Sequence, residues 1–258
     1  MKTIAAILAG GSGTRIGGEV PKQMLPLGGK PVLAHSVGAF DAHPGVDAVV
    51  VVCREDLIPA VRELAAREHW CKVRAVVPGG ADRSGSSLAA IRAARLLTAE
   101  GIDRSAKEGT LTAEGIDRPA EYGAPEAVRL LIHDAARPLV DAETISRCLQ
   151  ALETADAVEP VVPVADTIVQ VDADGILTHV PARDSLRAVQ TPQGFRLDTI
   201  EEAYRRAAAD LAFTATDDAS VVLRYLPGVR VCTVLGSPRN RKLTLPSDLD
   251  WFESQIAL

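Results

Sequence analysis

A glycine-rich turn near the N-terminus carries two cations that could hold an anion. The turn contains Gly10, Gly11 and Gly13, and Arg15 and Lys22 follow it, seven residues apart. Glycines let a ligand approach the backbone N–H groups, which together form an anion-binding concavity. The two cations can then reach one phosphate from different sides. The pattern predicts a phosphate-binding turn; for the glycines alone, the alternative is a plain strand-to-helix turn with two surface cations.

The familiar phosphate loops do not explain this turn. The dinucleotide-binding fingerprint requires a third glycine where the chain has Ile16. The P-loop requires Ser or Thr after its Gly-Lys pair, but Pro31 follows Gly29-Lys30, and Met24 stands in place of the first glycine. The spacing therefore disfavours an NAD-dependent oxidoreductase and a P-loop protein.

Composition narrows the class of partner. The chain has 258 residues, of which 47% are hydrophobic, with a formal charge of −6 and a pI near 5.4. This charge argues against a nucleic-acid partner. The opening apolar run is too short for a signal peptide or a membrane span, so we predict a soluble cytoplasmic protein with no membrane partner. The four cysteines show no metal-like spacing and are predicted to be buried free thiols.

Apolar runs of strand length alternate with longer amphipathic stretches, which is typical of an α/β protein. Strands are predicted at Thr3–Ala9, Val46–Cys53, Lys72–Pro78, Arg129–His133, Val158–Val164 and Val229–Leu235. Helices are predicted at Val32–Ala42, Asp56–His69, Ser84–Leu97, Ala142–Thr154, Asp198–Ala209, Asp217–Tyr225 and Pro246–Ile256. We therefore predict a Rossmann-like fold, with a mostly parallel twisted sheet, helices on both faces and a single domain over residues 1–258.

Two segments interrupt this alternation. Residues 98–126 contain a tandem duplication, because LTAEGIDR at Leu97–Arg104 recurs at Leu111–Arg118. A connection this long is predicted to be a flexible surface insert. The second segment, at about residues 165–182, has two extended runs around Asp174-Gly175 and predicts a projecting hairpin. Since a lone apolar hairpin is marginal in water, we expect this arm to pack against a second subunit in a homodimer.

Five motifs occur in order over nearly the whole chain. They are Leu8–Arg15 with Pro21–Gln23, Gly79–Ser86, His133–Pro138, Leu186–Phe195 and Thr216–Ser220. Together they resemble the 2-C-methyl-D-erythritol 4-phosphate cytidylyltransferase family of the non-mevalonate isoprenoid pathway. The resemblance implies a nucleotidyltransferase fold and the joining of CTP to a polyol phosphate with release of pyrophosphate.

The resemblance also implies a role for each matching residue. Arg15 and Lys22 match the residues that stabilise negative charge in the transition state. The positions that match the nucleotide cradle are Ala9, Gly10, Gly11, Gly13, Gly79, Gly80 and Ser86. Asp134 matches the carboxylate that helps to hold Mg²⁺ or another divalent cation.

Three further residues match positions that orient the acceptor, and a fourth is expected to contact an anion. Arg183 and Thr167 match contacts to the polyol phosphate that this family takes from the neighbouring subunit. Lys242 matches the lysine that orients the attacking phosphate, and Arg137 is expected to be a further anion contact.

The acceptor alcohol stays open at this point. Leu8-Ala9-Gly10 and Gly79–Arg83 also resemble the ribitol-5-phosphate cytidylyltransferases. Two further alternatives are a sugar-1-phosphate transferase that uses UTP or GTP, and a nucleotide-sensing module that keeps the fold without turnover.

Overall fold

The apolar runs form a central eight-stranded sheet with helices on both faces, as the sequence predicts. The computed structural model describes residues 1–11, 20–102, 127–210 and 215–256. The strands in these ranges are β1 (Lys2–Ala9), β2 (Pro26–Leu27), β3 (Lys30–Pro31), β4 (Ala48–Cys53), β5 (Val73–Pro78), β6 (Val128–Asp134), β7 (Ala157–Pro163), β8 (Gln170–Val171), β9 (Leu177–His179), β10 (Arg187–Val189), β11 (Gln193–Arg196) and β12 (Val231–Leu235). The α-helices are α1 (Val32–Ala42), α2 (Ile58–Arg67), α3 (Arg83–Glu100), α4 (Ala142–Ala151), α5 (Leu197–Ala207), α6 (Asp218–Tyr225) and α7 (Asp248–Ile256).

The sheet is mostly parallel. Its strand order is β10–β7–β11–β6–β1–β4–β5, and β12 pairs in parallel with β7. The pairs that β1 makes with β4 and β6, and β4 with β5, are all parallel. Strands β10 and β11 are antiparallel to their neighbours, and the sequence did not predict either of them. Because β1 and β6 lie side by side in parallel, their carboxyl ends open at the same edge of the sheet.

Alternate residues of the strands supply two separate cores. From β1, Ile4 and Ala6 face a cluster that includes α3, α5 and α6, whereas Ala5 and Ile7 face a cluster that includes α1, α2 and α4. Strands buried on both faces explain the near-continuous apolar runs in the sequence. A third, smaller cluster lies outside the sheet; its buried members are Leu27, Val32, Ala136, Leu243 and Phe252.

The predicted hairpin is present as a separate two-stranded ribbon of β8 and β9. Gly175 adopts a positive φ of 80°, which favours glycine at this turn. The carboxylate of Asp172 accepts hydrogen bonds from the N–H groups of Asp174 and Ile176. The apolar side chains of the hairpin are 42% to 63% exposed; they are Ile168, Val169, Val171, Ile176, Leu177 and Val180.

The remaining segment predictions have mixed outcomes. Helix α3 runs three residues into the predicted insert and ends at Glu100, and Ile102 beyond it is buried. The rest of that prediction, residues 103–126, lies outside the described residues. The prediction of buried thiols is confirmed for Cys53 and Cys148. It is wrong for Cys71, which is exposed because it sits in the loop before β5, and Cys232 is only partly buried. Among the described residues, no helix is both long and apolar enough to cross a membrane.

Candidate active site

A cavity of about 300 Å³ opens where β1 and β6 end. The predicted site residues that line it are Ala9, Gly10, Gly11, Lys22, Gly80, Ser86, Asp134 and Lys242. These positions come from five separate stretches of the chain, so the fold gathers most of the predicted site into one place. Gly13 and Arg15 lie outside the described residues.

Lys22 is presented to the cavity by a short 3-10 helix, Lys22–Met24, that follows Pro21. The buried amide of Gln23 fastens this helix to the end of β1, because its Nε2 donates to the Ala9 carbonyl oxygen at 2.7 Å. The Lys22 Nζ lies 3.5 Å from the carbonyl oxygen of Leu243. Gln23 belongs to the first motif, but its role was not predicted: it holds Lys22 beside the glycine turn.

The second glycine loop lines the cavity where it meets the N-terminus of α3. Asp82 caps the helix, since its carboxylate accepts from the Gly85 N–H at 2.7 Å. A Cβ atom on Gly80 would lie 2.5 Å from the Gly85 Cα, so only glycine fits there without movement. The Ser86 hydroxyl fills the space beside Gly79, where a Cβ atom would lie 2.9 Å from its Oγ. The small residues therefore bring a helix N-terminus, which favours anions, against the cavity.

Replacing Gly80 with alanine is expected to destabilise the protein by about 1–3 kcal/mol, because the new Cβ atom would overlap the backbone of Gly85 and force it to shift. Gly228→Ala is the matched control, since a Cβ atom at Gly228 has no heavy atom within 4 Å among the described residues. Urea unfolding of both variants measures the difference. Equal midpoints for the two variants would contradict the tight packing at Gly80.

Asp134 ends β6 in the wall of the cavity and is surrounded by cations. Its Oδ2 lies 2.8 Å from Lys242 Nζ and 3.9 Å from Arg137 Nε. Its Oδ1 lies 3.7 Å from Arg83 Nε. Burial raises the pKa of this carboxyl, but the three neighbouring positive charges outweigh burial and hold the pKa well below its usual range. Asp134 is therefore ionised at neutral pH, with an excess of positive charge around it.

The neighbouring histidine holds the end of β6 in place. His133 is fully buried, and its Nε2–H donates to the carbonyl oxygen of Arg137 at 3.1 Å. Its Nδ1 accepts from the Thr191 hydroxyl at 2.9 Å, and the same hydroxyl oxygen accepts from the N–H of Asp134. Burial lowers the pKa of His133 to about 4, so the ring is neutral and structural at pH 7.

Lys242 is positioned by the third apolar cluster. The next residue, Leu243, is fully buried there and its N–H donates to the carbonyl oxygen of Ala136 at 2.7 Å. Phe252 of α7 packs in the same cluster, and Arg241 stacks on Trp251 with 4.5 Å between the guanidinium carbon and the ring centroid. The C-terminal helix thereby sets where Lys242 enters the cavity.

Four predicted residues do not line the cavity: Gly79, which lies beside Ser86, and Arg137, Arg183 and Thr167. Arg137 is mostly buried beside Asp134 but does not line the cavity; its terminal nitrogens donate to the carbonyl oxygens of Asn240 and Val189, at 2.8 and 3.3 Å. Arg183 and Thr167 meet at the base of the arm, where the arginine Nη2 donates to the threonine Oγ1 at 2.9 Å. The structure therefore brings these two residues together on an exposed surface, apart from the residues that line the cavity.

The resemblance to known proteins extends over nearly the whole chain. The family model described as IspD, 2-C-methyl-D-erythritol 4-phosphate cytidylyltransferase, matches residues 3–100 and 109–257. The chain belongs to this family. A 2-C-methyl-D-erythritol 4-phosphate cytidylyltransferase from Thermobifida fusca (strain YX) is 45% identical over 252 residues, which cover 96% of this chain and 90% of the relative.

This cytidylyltransferase family member is also similar to a protein of known structure and to part of a bifunctional enzyme. The crystal structure of 2-C-methyl-D-erythritol 4-phosphate cytidylyltransferase from Thermus thermophilus has 28% identity and a TM-score of 0.69, and the match covers 100% of both chains. The bifunctional ribulose 5-phosphate reductase/CDP-ribitol pyrophosphorylase Bcs1 of Haemophilus influenzae is 34% identical over 249 residues, covering 96% of this chain and 47% of that protein.

In this cytidylyltransferase family member, the side chains around the cavity can bind a divalent cation only together with phosphate oxygens of the substrate. Among the described residues, no group of three or more His, Cys, Asp or Glu side chains is arranged to hold a metal ion. Mg²⁺, however, is commonly bound by one or two carboxylates together with substrate phosphates. The cavity wall contains one such carboxylate, the ionised Asp134. The donor set is therefore compatible with Mg²⁺ carried in by a nucleotide.

The residues behind Asp134 in this family member were not predicted from the sequence. Arg83 lines the cavity and connects Asp134 to Asp218, whose carboxylate is completely buried and lies 2.8 Å from Arg83 Nη1. Both residues belong to quoted motifs, Gly79–Ser86 and Thr216–Ser220, and that was the available signal. Their contact spans 135 positions of the chain, and only the fold reveals it.

Proposed function

We propose that this chain joins CTP and 2-C-methyl-D-erythritol 4-phosphate, giving 4-diphosphocytidyl-2-C-methyl-D-erythritol and pyrophosphate. One observation carries the proposal: a single cavity combines both glycine-bearing loops with Lys22, Asp134 and Lys242. Such a cavity offers backbone N–H groups, positive charge and one carboxylate, which are the groups that a metal-bound triphosphate requires. Membership of the cytidylyltransferase family supports the choice of CTP and of the acceptor.

The reaction needs the cavity to bring two anions together. An oxygen of the polyol phosphate attacks the α-phosphorus of CTP, and the bond from that phosphorus to the bridging oxygen breaks, so that pyrophosphate leaves with the electron pair. Positioning and neutralisation of charge supply most of the catalysis in such transfers. We assign charge stabilisation to Lys22 and Arg15, orientation of the attacking phosphate to Lys242, and a Mg²⁺ contact to Asp134. Mg²⁺, when bound, would neutralise phosphate charge.

The acceptor site is completed, in this proposal, by a second copy of the chain. Arg183 and Thr167, which contact each other at the base of the exposed arm, would reach the polyol phosphate of the partner's cavity. The apolar, exposed side chains of the arm support packing against a second subunit. Three features remain predictions from the sequence: the flexibility of the insert, the single domain over residues 1–258 and the location in the cytoplasm.

A second candidate is transfer to ribitol 5-phosphate. The relative from Haemophilus influenzae, whose name includes CDP-ribitol pyrophosphorylase, supports it, as do Leu8-Ala9-Gly10 and Gly79–Arg83. The greater identity of the relative from Thermobifida fusca, 45% against 34%, favours methylerythritol phosphate.

An acceptor panel tests the proposed function. Purified protein is incubated with CTP, Mg²⁺ and either 2-C-methyl-D-erythritol 4-phosphate or ribitol 5-phosphate, and the released pyrophosphate is measured by a coupled assay. We expect release with methylerythritol phosphate and little with ribitol phosphate. The reverse order would support the second candidate, and activity with UTP or GTP instead of CTP would identify a different transferase. Calorimetric binding of CTP with no release for either acceptor would support a nucleotide-sensing module.

A further inference from the structure

Asp134 is held in the cavity wall by two arginines that are themselves fixed elsewhere. Its two carboxylate oxygens have different partners: Oδ1 faces Arg83, whereas Oδ2 faces Lys242 and Arg137. The lysine side chain is 42% exposed and can turn towards an anionic ligand. The arginines cannot follow it, because Arg137 is bound to backbone carbonyls and Arg83 to a buried carboxylate.

The anchor of Arg83 is built from three helices. Arg83 begins α3, and its Nη1 donates to Oδ2 of Asp218 and to the Ser87 hydroxyl, both at 2.8 Å. Asp218 begins α6, and its Oδ1 accepts from the Tyr204 hydroxyl of α5 at 2.7 Å. The N–H of Asp218 donates to Oε1 of Gln193 at 3.0 Å. The buried Asp218 is thus held from several directions and gives the guanidinium one fixed position.

We infer that Arg83 is a positioning residue for catalysis, which orients the Asp134 carboxylate through its bridge to Asp218 and Tyr204. The inference rests on the proposed function of Asp134. A planar guanidinium can bind two carboxylates at once through different nitrogens, whereas a lysine ammonium acts as a compact point charge. Groups that orient a metal-binding carboxylate typically change metal affinity or activity by about 10- to 100-fold when they are replaced.

The test compares Arg83→Lys with a matched control, Arg95→Lys. Arg95 also lies on α3, is buried, and bridges two carboxylates, those of Asp198 and Glu201, but it does not line the cavity. We expect Arg83→Lys to lower kcat by about 10- to 100-fold, with the KM for methylerythritol phosphate within about threefold of wild type. Arg95→Lys should match wild type in both constants. Melting temperatures of both variants report folding.

A double-mutant cycle with Asp134→Asn separates positioning from a general structural effect. If Arg83 acts through Asp134, the lysine substitution should change kcat by less than about threefold in the asparagine background, because the group that it positions has been altered. If instead the kcat losses of Arg83→Lys and Asp134→Asn simply multiplied in the double variant, the inference would be overturned. If Arg83→Lys fails to fold, Tyr204→Phe replaces it in the cycle, with an expected loss of about two- to fivefold from one missing hydrogen bond.

A binding measurement keeps this inference distinct from the proposed function. Affinity for Mn²⁺·CTP, followed by water-proton relaxation, needs no turnover. We expect it to fall by about tenfold in Arg83→Lys and to stay unchanged in Arg95→Lys. If wild type released no pyrophosphate, the proposed function would fail, but this result would still decide the role of Arg83. Wild-type affinity in Arg83→Lys, with reduced affinity in Asp134→Asn, would show that Asp134 needs no such support.

Discussion

Lys22→Met is expected to lower kcat by about 10²- to 10³-fold, the loss that follows when a preorganised donor to a developing anion is removed. The lysine lines the cavity from the first position of a short helix, which Gln23 connects to β1 through a hydrogen bond. Methionine keeps the length and the apolar stem but removes the charge. Since the charge acts mainly on the transition state, kcat and kcat/KM should fall together. Steady-state release of pyrophosphate over a range of CTP concentrations measures both constants.

The matched control for this prediction is Lys30→Met. Lys30 lies on the surface, where its Nζ pairs with Glu68 at 2.7 Å, and a surface ion pair of this kind contributes little to stability. This variant should keep the wild-type kcat. A Lys22→Met enzyme that loses affinity for CTP while keeping kcat would instead make Lys22 a simple binding residue.

Arg15→Ala should lower kcat as Lys22→Met does if the two cations share the transition-state charge.

Arg183→Ala is expected to raise the KM for the polyol phosphate by about 10- to 100-fold, the effect of losing one charge-assisted hydrogen bond to a phosphate. The KM for CTP should change little, because Arg183 lies at the base of the arm and not in the wall of the cavity. Arg187→Ala is the control, since this nearby exposed arginine donates to the carbonyl oxygens of Asp184 and Leu186. An unchanged KM for the polyol phosphate in Arg183→Ala would show that the arm does not contribute to the acceptor site.

Mixing Lys22→Met with Arg183→Ala, assayed at a polyol phosphate concentration well below the KM of Arg183→Ala, tests whether Arg183 acts on the partner's cavity. A dimer of one Lys22→Met subunit and one Arg183→Ala subunit has one doubly altered site and one intact site if the arm reaches across. Random exchange of subunits in a two-fold dimer should then restore about a quarter of wild-type activity, because half of the dimers are mixed. If Arg183 served its own subunit, both sites of the mixed dimer would stay defective and mixing would restore nothing.

Sequence patterns predicted the parallel part of the fold well. The bounds of α1 were predicted as observed, since Pro31 marks its start and the apolar spacing continues to Ala42. Strands β10 and β11 escaped prediction because Gln190 and Gln193, both buried, interrupt the apolar pattern. Their amides are satisfied by distant partners, Ser237 for Gln190 and Glu159 for Gln193, and no local pattern reveals such contacts.

In the site too, residues within local motifs were predicted, whereas contacts between distant parts of the chain were not. Lys22, Asp134 and Lys242 were predicted from motifs and lie together around the cavity, whereas their functional roles remain proposals. Arg83 stood inside a quoted motif without a role, because its partners Asp134 and Asp218 are remote in sequence. Short patterns identify the groups that touch a ligand more readily than those that hold them, since holding depends on contacts between elements.

The small apolar cluster around Leu243 and Phe252 has a consequence for how ligands pass in and out. It anchors the wall that carries Lys242, yet it is separate from the two cores that stabilise the sheet. Local opening costs free energy in proportion to the contacts that must break. Since local opening here would expose only a handful of apolar side chains, we expect this wall to open at a lower free-energy cost than the sheet, which would let ligands pass in and out.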